Sequence, residues 1–209
     1  MSTELVKETS RYQMAFRQAR KDPGAGEPSW LQNLRENSFD QFEQAGFPNT
    51  KQEEWKYTNV NAIAKANFAP VLVGNGTALK TDSELTSFSY EEARQSRLVF
   101  VNGMFREELS SLSGLPEGVV AIDLRDALRG GEYEATVREY LEHPVLANGF
   151  AALNTALFRS GLLLKIPRGI SVEAPIHLLF VGEPVAENLP PAAFPRVLIL
   201  AEENSSATI

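Results

Sequence analysis

Two histidines and the absence of cysteine bound the chemistry this sequence can perform. Without cysteine the chain has no thiolate nucleophile, no disulfide and no cysteine-ligated zinc or iron–sulfur site of its own. His143 ends a predicted helix just before Pro144. A cation is favoured there by the helix dipole, so a structural role accounts for it. His177 lies in Ile176-His177-Leu178-Leu179 and alternates away from its apolar neighbours, which suits a structural or surface position. Two histidines with no matched carboxylate cluster do not make a metal centre.

Two acidic doublets, Glu53-Glu54 and Glu202-Glu203, have the right residue type for acid–base work. Adjacent side chains diverge on a helix or a strand, so neither doublet is a catalytic dyad and both read as solvated faces. Gly24-Ala25-Gly26 and Gly74-Asn75-Gly76 satisfy only the first half of a dinucleotide fingerprint. Neither follows a strand and opens a helix, so neither cradles a phosphate. There is no Gly-x-Ser-x-Gly and no Walker A pattern. No catalytic, cofactor-binding or metal residue is assigned, and the chain is not expected to act as an enzyme by itself.

The most distinctive run is Lys51-Gln52-Glu53-Glu54-Trp55-Lys56-Tyr57-Thr58-Asn59. Trp55 and Tyr57 can bury a ring and still satisfy a polar atom, and Lys56 can lie over an aromatic face. The expectation is a packing anchor that joins a helical arm to the rest, with Trp55 mostly packed. A partner-docking patch is the alternative.

The elements that position these residues follow from apolar spacing. Leu5, Thr9, Tyr12, Phe16 and Ala19 predict a helix over Glu4–Lys21. Residues 22–26 break it. Pro28 and Gly46 bracket a second helix over Ser29–Ala45, with the glycine in a left-handed cap. A short helix is expected around Val60–Ala66. Arg97–Val101 and Met104–Glu107 form a hairpin through a type I′ turn at Asn102-Gly103. Val119–Leu124 is a strand, and Glu132–Glu142 and the Phe150–Leu157 region are helices. From Leu162 the chain becomes a series of short apolar strands: Leu162–Ile166, Ile170–Val172, Ile176–Val181, Val197–Ala201 and Ala207–Ile209. Turns separate them and no helix intervenes, which fits a β-solenoid or a sandwich.

The expected class is α+β. Residues 1–95 form a helical N-terminal region with a linker, 96–160 a small α/β segment, and 161–209 the start of an incomplete strand core. The series stops at Ile209 with no closing helix, so the chain is expected to be the N-terminal part of a larger protein. Backbone groups around Val197–Ile209 should then lack neighbours, an edge that favours dimerisation.

The 209 residues suit one large domain or two small ones, and the composition is 43% hydrophobic and 22% charged. The net charge of −7 and the absence of a Lys/Arg cluster argue against nucleic acid. No apolar stretch approaches the roughly 18 residues of a membrane span. The first residues lack a signal peptide's apolar core, so a cytoplasmic location is expected.

Four segments in series resemble the SufB/SufD family of SUF iron–sulfur cluster assembly subunits, leaning toward its SufD branch. Glu54-Trp55-Lys56-Tyr57-Thr58 is similar to the family's E-x-W-[KR]-Y-[TS] element. Phe100-Val101-Asn102-Gly103-Met104-Phe105 is similar to its F-V-[ND]-G-x-F hairpin. Leu153-Asn154-Thr155-Ala156-Leu157-Phe158, Gly161 and Ile166-Pro167-Arg168-Gly169 match its approach to the core, and Pro175-Ile176-His177-Leu178 matches the strand that follows. The resemblance implies the first coils of a right-handed parallel β-helix and a scaffold subunit acting with SufB-like and SufC-like partners. It implies an iron–sulfur cluster associated with the full complex and no cofactor in this chain, because the family's proposed cluster-site residues lie further along. A small-molecule enzyme with a solenoid core, completed elsewhere, is the competing reading.

Overall fold

Apolar residues at three- and four-residue spacing make the first two elements helices: α1 spans Thr3–Lys21 and α2 spans Ser29–Ala45. Pro28 caps α2 with its carbonyl, which accepts from the N–H groups of Leu31 and Gln32. Gly46 ends α2 at φ 65°, and its N–H donates to the Phe42 carbonyl. The positive φ is as predicted, but ψ is −165°, which lies outside the left-handed helical region in backbone space open essentially to glycine alone. Phe16 stacks on Phe39 at 4.2 Å and Tyr12 meets Phe42 edge-on, so the two helices share an aromatic seam.

The computed structural model describes residues 3–22, 26–73, 82–129, 131–143, 148–185 and 189–209. The chain then runs through α3 (Asn61–Lys65), β1 (Ala69–Pro70), α4 (Asp82–Leu85), β2 (Arg97–Val101) and β3 (Met104–Phe105). It continues through β4 (Val120–Asp123), α5 (Leu124–Ala127), α6 (Glu134–Glu142) and α7 (Gly149–Leu157). The last elements are β5 (Gly161–Ile166), β6 (His177–Val181), β7 (Pro191–Ala192) and β8 (Arg196–Ala201). The class is α+β, with helices packed on small sheets.

The β2–β3 hairpin turns through Asn102 at φ 49° and Gly103 at φ 81°, as an Asn-Gly turn requires. The return strand is only Met104–Phe105, shorter than predicted, because the 3₁₀ turn Glu107–Leu109 follows at once. Ile170–Val172 forms no strand; Ser171 makes a single parallel bridge to Ser206. Ala207–Ile209 is not a strand either, although Ile176 N–H donates to the Thr208 carbonyl. The two segments meet other parts of the chain through isolated backbone contacts, Ile170–Val172 at Ser206 and Thr208 at Ile176, without a continuous ladder.

Three ladders pair early strands with later ones in parallel. β1 pairs with β7, β2 with β6, and β5 with β8. Antiparallel partners complete the sheets as β3-β2-β6 and β4-β5-β8. Gly161 faces Arg196, and the step from 161 to 196 (35 residues) recurs from Ser171 to Ser206. The chain therefore returns above itself in register.

Period-2 alternation assigns each strand face to a core. Leu98 and Phe100 of β2 meet Leu162, Leu164 and Ile166 of β5 in the core between the sheets. Val99 and Val101 point the other way, onto Leu85 and Leu109. Leu163 faces a second core under α2, α5 and α6. β2 and the leucines of β5 are thus buried on both faces, which explains their unbroken apolar runs. Burying each such leucine contributes roughly 1.5–3 kcal/mol.

Gly161 is required where β8 begins to run alongside β5. A Cβ there would lie 2.1 Å from the Arg196 carbonyl oxygen. Gly161→Ala is expected to destabilise the chain by about 1–3 kcal/mol in urea unfolding. Gly169, at φ 73° with nothing within 4 Å of an added Cβ, is the control. Gly169→Asn should cost less than about 1 kcal/mol, and equal losses at both sites would refute this account of the close approach.

Candidate functional site

His143 closes α6, and its Nδ1 lies 2.8 Å from the Glu139 carbonyl, the helix-terminal position expected of it. Glu53 and Glu54 open the 3₁₀ turn Glu53–Trp55 and are exposed, with Glu53 3.8 Å from Lys56. Glu202 and Glu203 bind different cations where β8 ends. Glu202 pairs with Lys165 at 3.1 Å and accepts from the Arg168 N–H, while Glu203 pairs with the Arg168 side chain. These contacts hold the Glu202 carboxyl below its ordinary range, the Arg168 N–H most of all. Neither doublet converges on a common point. Residues 74–76 and Gly24-Ala25 lie outside the described residues; Gly26 has φ 80°.

Trp55 is half-buried, with its ring 5.8 Å from Phe150 at the start of α7. It does join the aromatic run to the helices, as expected. Tyr57 does not: it is 91% exposed, and Lys56 lies over its ring at 5.6 Å. The reason is local. The 3₁₀ turn aims only one of two aromatics spaced by two residues at the protein body.

His177 opens β6 in register with Arg97 of β2. Its ring lies 5.1 Å from Tyr90, and its backbone N–H donates to the Ser96 carbonyl. Nδ1 is buried and meets no hydrogen-bond partner. Burial first, and then the Arg97 guanidinium, push the imidazole below its ordinary pKa. The imidazole therefore stays neutral in the fold at a pH where the unfolded chain already binds a proton. Stability should be full above about pH 6.5 and fall as pH drops below it. His177→Gln is expected to flatten that dependence between pH 5 and 7 in thermal unfolding; an unchanged slope would refute the assignment.

The densest charge cluster escaped the sequence reading. Arg35, on α2, is 7% exposed. Its Nη1 donates to the Phe158 carbonyl at 2.6 Å and to those of Thr155 and Ala156 at 3.4 Å. Its guanidinium lies over the Phe158 ring at 4.1 Å, and its Nη2 is 3.3 Å from Glu27. Arg159 donates to the carbonyls of Ala19 and Asp22 at the end of α1 and stands 3.9 Å from the same Glu27 oxygen. Arg196 donates to Thr155 Oγ1 at 2.5 Å. Burial, above all, lowers the Arg35 pKa to about 10. A signal was present: Leu31, Arg35, Phe39 and Phe42 share one helical face, so a cation stood in an apolar stripe.

A cavity of about 240 Å³ opens beside this cluster, between α1, α2 and α5. A second polar link lies on the far side of β5. Ser160 Oγ donates to Asp123 at 3.0 Å and accepts from the Phe105 N–H, tying the hairpin to the β4–β5 pair. Asp123 also caps α5 and pairs with Arg125 at 2.8 Å. No histidine stands beside Ser160 in these contacts, so nothing there activates a nucleophile.

Among the described residues, no three His, Asp or Glu side chains stand close enough to hold a metal ion. Among the described residues, no helix is long and apolar enough to cross a membrane.

Residues 6–178 match the family model described as the SufBD protein N-terminal region. An iron–sulfur cluster assembly SufBD family protein of Synechocystis is 30% identical over 184 residues, covering 88% of this chain and 39% of the relative. The iron–sulfur cluster assembly protein SufD of Bacillus subtilis is 30% identical over 189 residues, covering 87% and 41%. The SufB protein of the same organism is 24% identical over 216 residues, covering 99% and 42%. The chain thus spans about two fifths of the length of these relatives. With the match covering most of the sequence, the chain belongs to the SufB/SufD family of iron–sulfur cluster assembly proteins.

Proposed function

We propose that this chain is part of a SufD-type scaffold subunit, non-catalytic by itself, that acts in the cytoplasm with a SufB-like subunit and the SufC-like ATPase. The iron–sulfur cluster is cargo of the whole complex. The observation that carries this reading is the family match over residues 6–178. The higher identity to SufD than to SufB of Bacillus subtilis supports the branch.

The architecture suits such a role. The recurring 35-residue step between β5 and β8 supports reading residues 161–209 as the first coil of a right-handed parallel β-helix. On this reading residues 1–95 and 96–160 form the helical region and the α/β segment that cover its start. β6 and β8 stand at sheet edges, and Phe180 (50%) and Ile199 (39%) are exposed on those edges. A further coil, or a strand from a partner, would cover them.

Anaerobic co-expression with SufB-type and SufC-type subunits is the test. The protein carrying this sequence is expected to elute with both; separate elution under reducing conditions would overturn the reading. The 209-residue chain itself should associate through its strand edges in a concentration-dependent way, seen by sedimentation velocity. Ile199→Lys is expected to shift it toward monomer, because a charge on an edge opposes strand pairing. A wild-type chain that remains monomeric would rule out a strand-accepting edge.

A further inference from the structure

We propose that Asn102 is a latent deamidation site, closed while the β2–β3 turn rests on the end of β6 and opened when that contact breaks. The proposal is independent of the scaffold reading, since it concerns the covalent chemistry of this chain alone.

Asn-Gly is the pair most prone to this reaction, because glycine has no Cβ to crowd the attack of its own backbone nitrogen. The Gly103 nitrogen attacks the Asn102 side-chain carbonyl carbon, Cγ. An N–Cγ bond forms, the Cγ–Nδ2 bond breaks, and Nδ2 leaves as ammonia with the proton that the Gly103 N–H gives up. Water then opens the succinimide at either of its carbonyls. One opening gives aspartate. The other gives isoaspartate, whose main chain runs through Cβ and is one atom longer. Both products carry a new negative charge.

The folded chain denies the attack its geometry. Asn102 is 8% exposed and sits at φ 49°, with Gly103 at φ 81°. Such a turn holds the Gly103 nitrogen rotated away from the Asn102 side chain, and ring closure needs it rotated toward that side chain. The Asn102 N–H donates to the Val181 carbonyl at 2.8 Å, and Oδ1 accepts from the Glu183 N–H at 2.8 Å. The residues that end β6 therefore fix both the backbone and the carboxamide of Asn102. Gly103 is packed as well: a Cβ added there would lie 3.0 Å from Ala193 Cβ and 3.3 Å from the Phe194 nitrogen. Glu183 stands 81 positions from Asn102 in sequence, so the lock is tertiary. Local opening of that junction frees the carboxamide and the turn together.

Peptide mapping reads the site directly, because trypsin excises Leu98–Arg106, in which Asn102 is the one asparagine. The other Asn-Gly pairs, Asn75-Gly76 and Asn148-Gly149, fall in different fragments. In mildly alkaline buffer the native chain is expected to convert Asn102 at least about tenfold more slowly than the synthetic peptide Leu98–Arg106. Glu183→Pro removes the N–H that holds Oδ1, and should raise the native rate about tenfold over Glu183→Ala, which keeps it. The two variants are compared folded, as judged by circular dichroism. A second readout needs no variant. After the wild-type chain is aged in urea and refolded, aspartate at 102 is expected in the folded fraction and isoaspartate in the aggregated one. Aspartate keeps Oδ1, whereas the longer main chain breaks the two-residue turn. Native conversion as fast as in the peptide would overturn the proposal. So would equal rates in the two folded Glu183 variants, or isoaspartate shared evenly between the refolded fractions.

Discussion

A buried guanidinium fixes how the helical half of this molecule meets the strand half, beside the apolar packing of Leu31 with Leu163. Arg35 belongs to α2, yet its donors go to the last carbonyls of α7 and to Phe158, three residues before β5 begins. Helix ends leave carbonyls without intrahelical partners, and here another helix supplies the donor. Glu27 supplies the countercharge and the Phe158 ring a polarisable floor. A charge this deeply buried is tolerated only when it is matched, and removing one member of such a set costs about 3–5 kcal/mol. The set therefore adds little net stability while excluding other arrangements of the three helix ends. Arg159 repeats the device at the end of α1.

The strand half inherits its position from that junction. β5 starts at Gly161, where the β8 carbonyl comes too close to admit a side chain. Ser160, one residue earlier, ties Asp123 to the hairpin backbone. β5 then becomes the central strand of its sheet, with leucines buried on both faces. Each later strand returns in parallel to an earlier one, and the outer edges of β6 and β8 remain unoccupied among the described strands.

The residue types that suggest catalysis are consumed by local structure. His143 caps a helix, Glu202 and Glu203 fasten a corner, and His177 sits against Tyr90 and Arg97. Arg35 and Arg159 are likewise taken up by backbone carbonyls and by Glu27, where both meet one carboxylate oxygen.

Periodicity and turn chemistry determined much of the architecture on their own. α2 runs from Ser29 to Ala45 because Pro28 and Gly46 bracket an apolar stripe, and the Asn102-Gly103 hairpin follows from backbone sterics. Such features depend on residues within a few positions of one another, so a linear reading reaches them. Short apolar runs are ambiguous in a linear reading: Ile170–Val172 and Ala207–Ile209 look like strands, but no continuous neighbour forms a ladder with them. The exposure of Tyr57, the pairing of β2 with β6 and the meeting of Glu27, Arg35 and Arg159 were decided only by the tertiary structure. Each depends on groups far apart in sequence, as Arg35 and Phe158 are separated by 123 positions. Local sterics select a helix or a turn, but the matching of buried charge depends on which distant groups packing brings together.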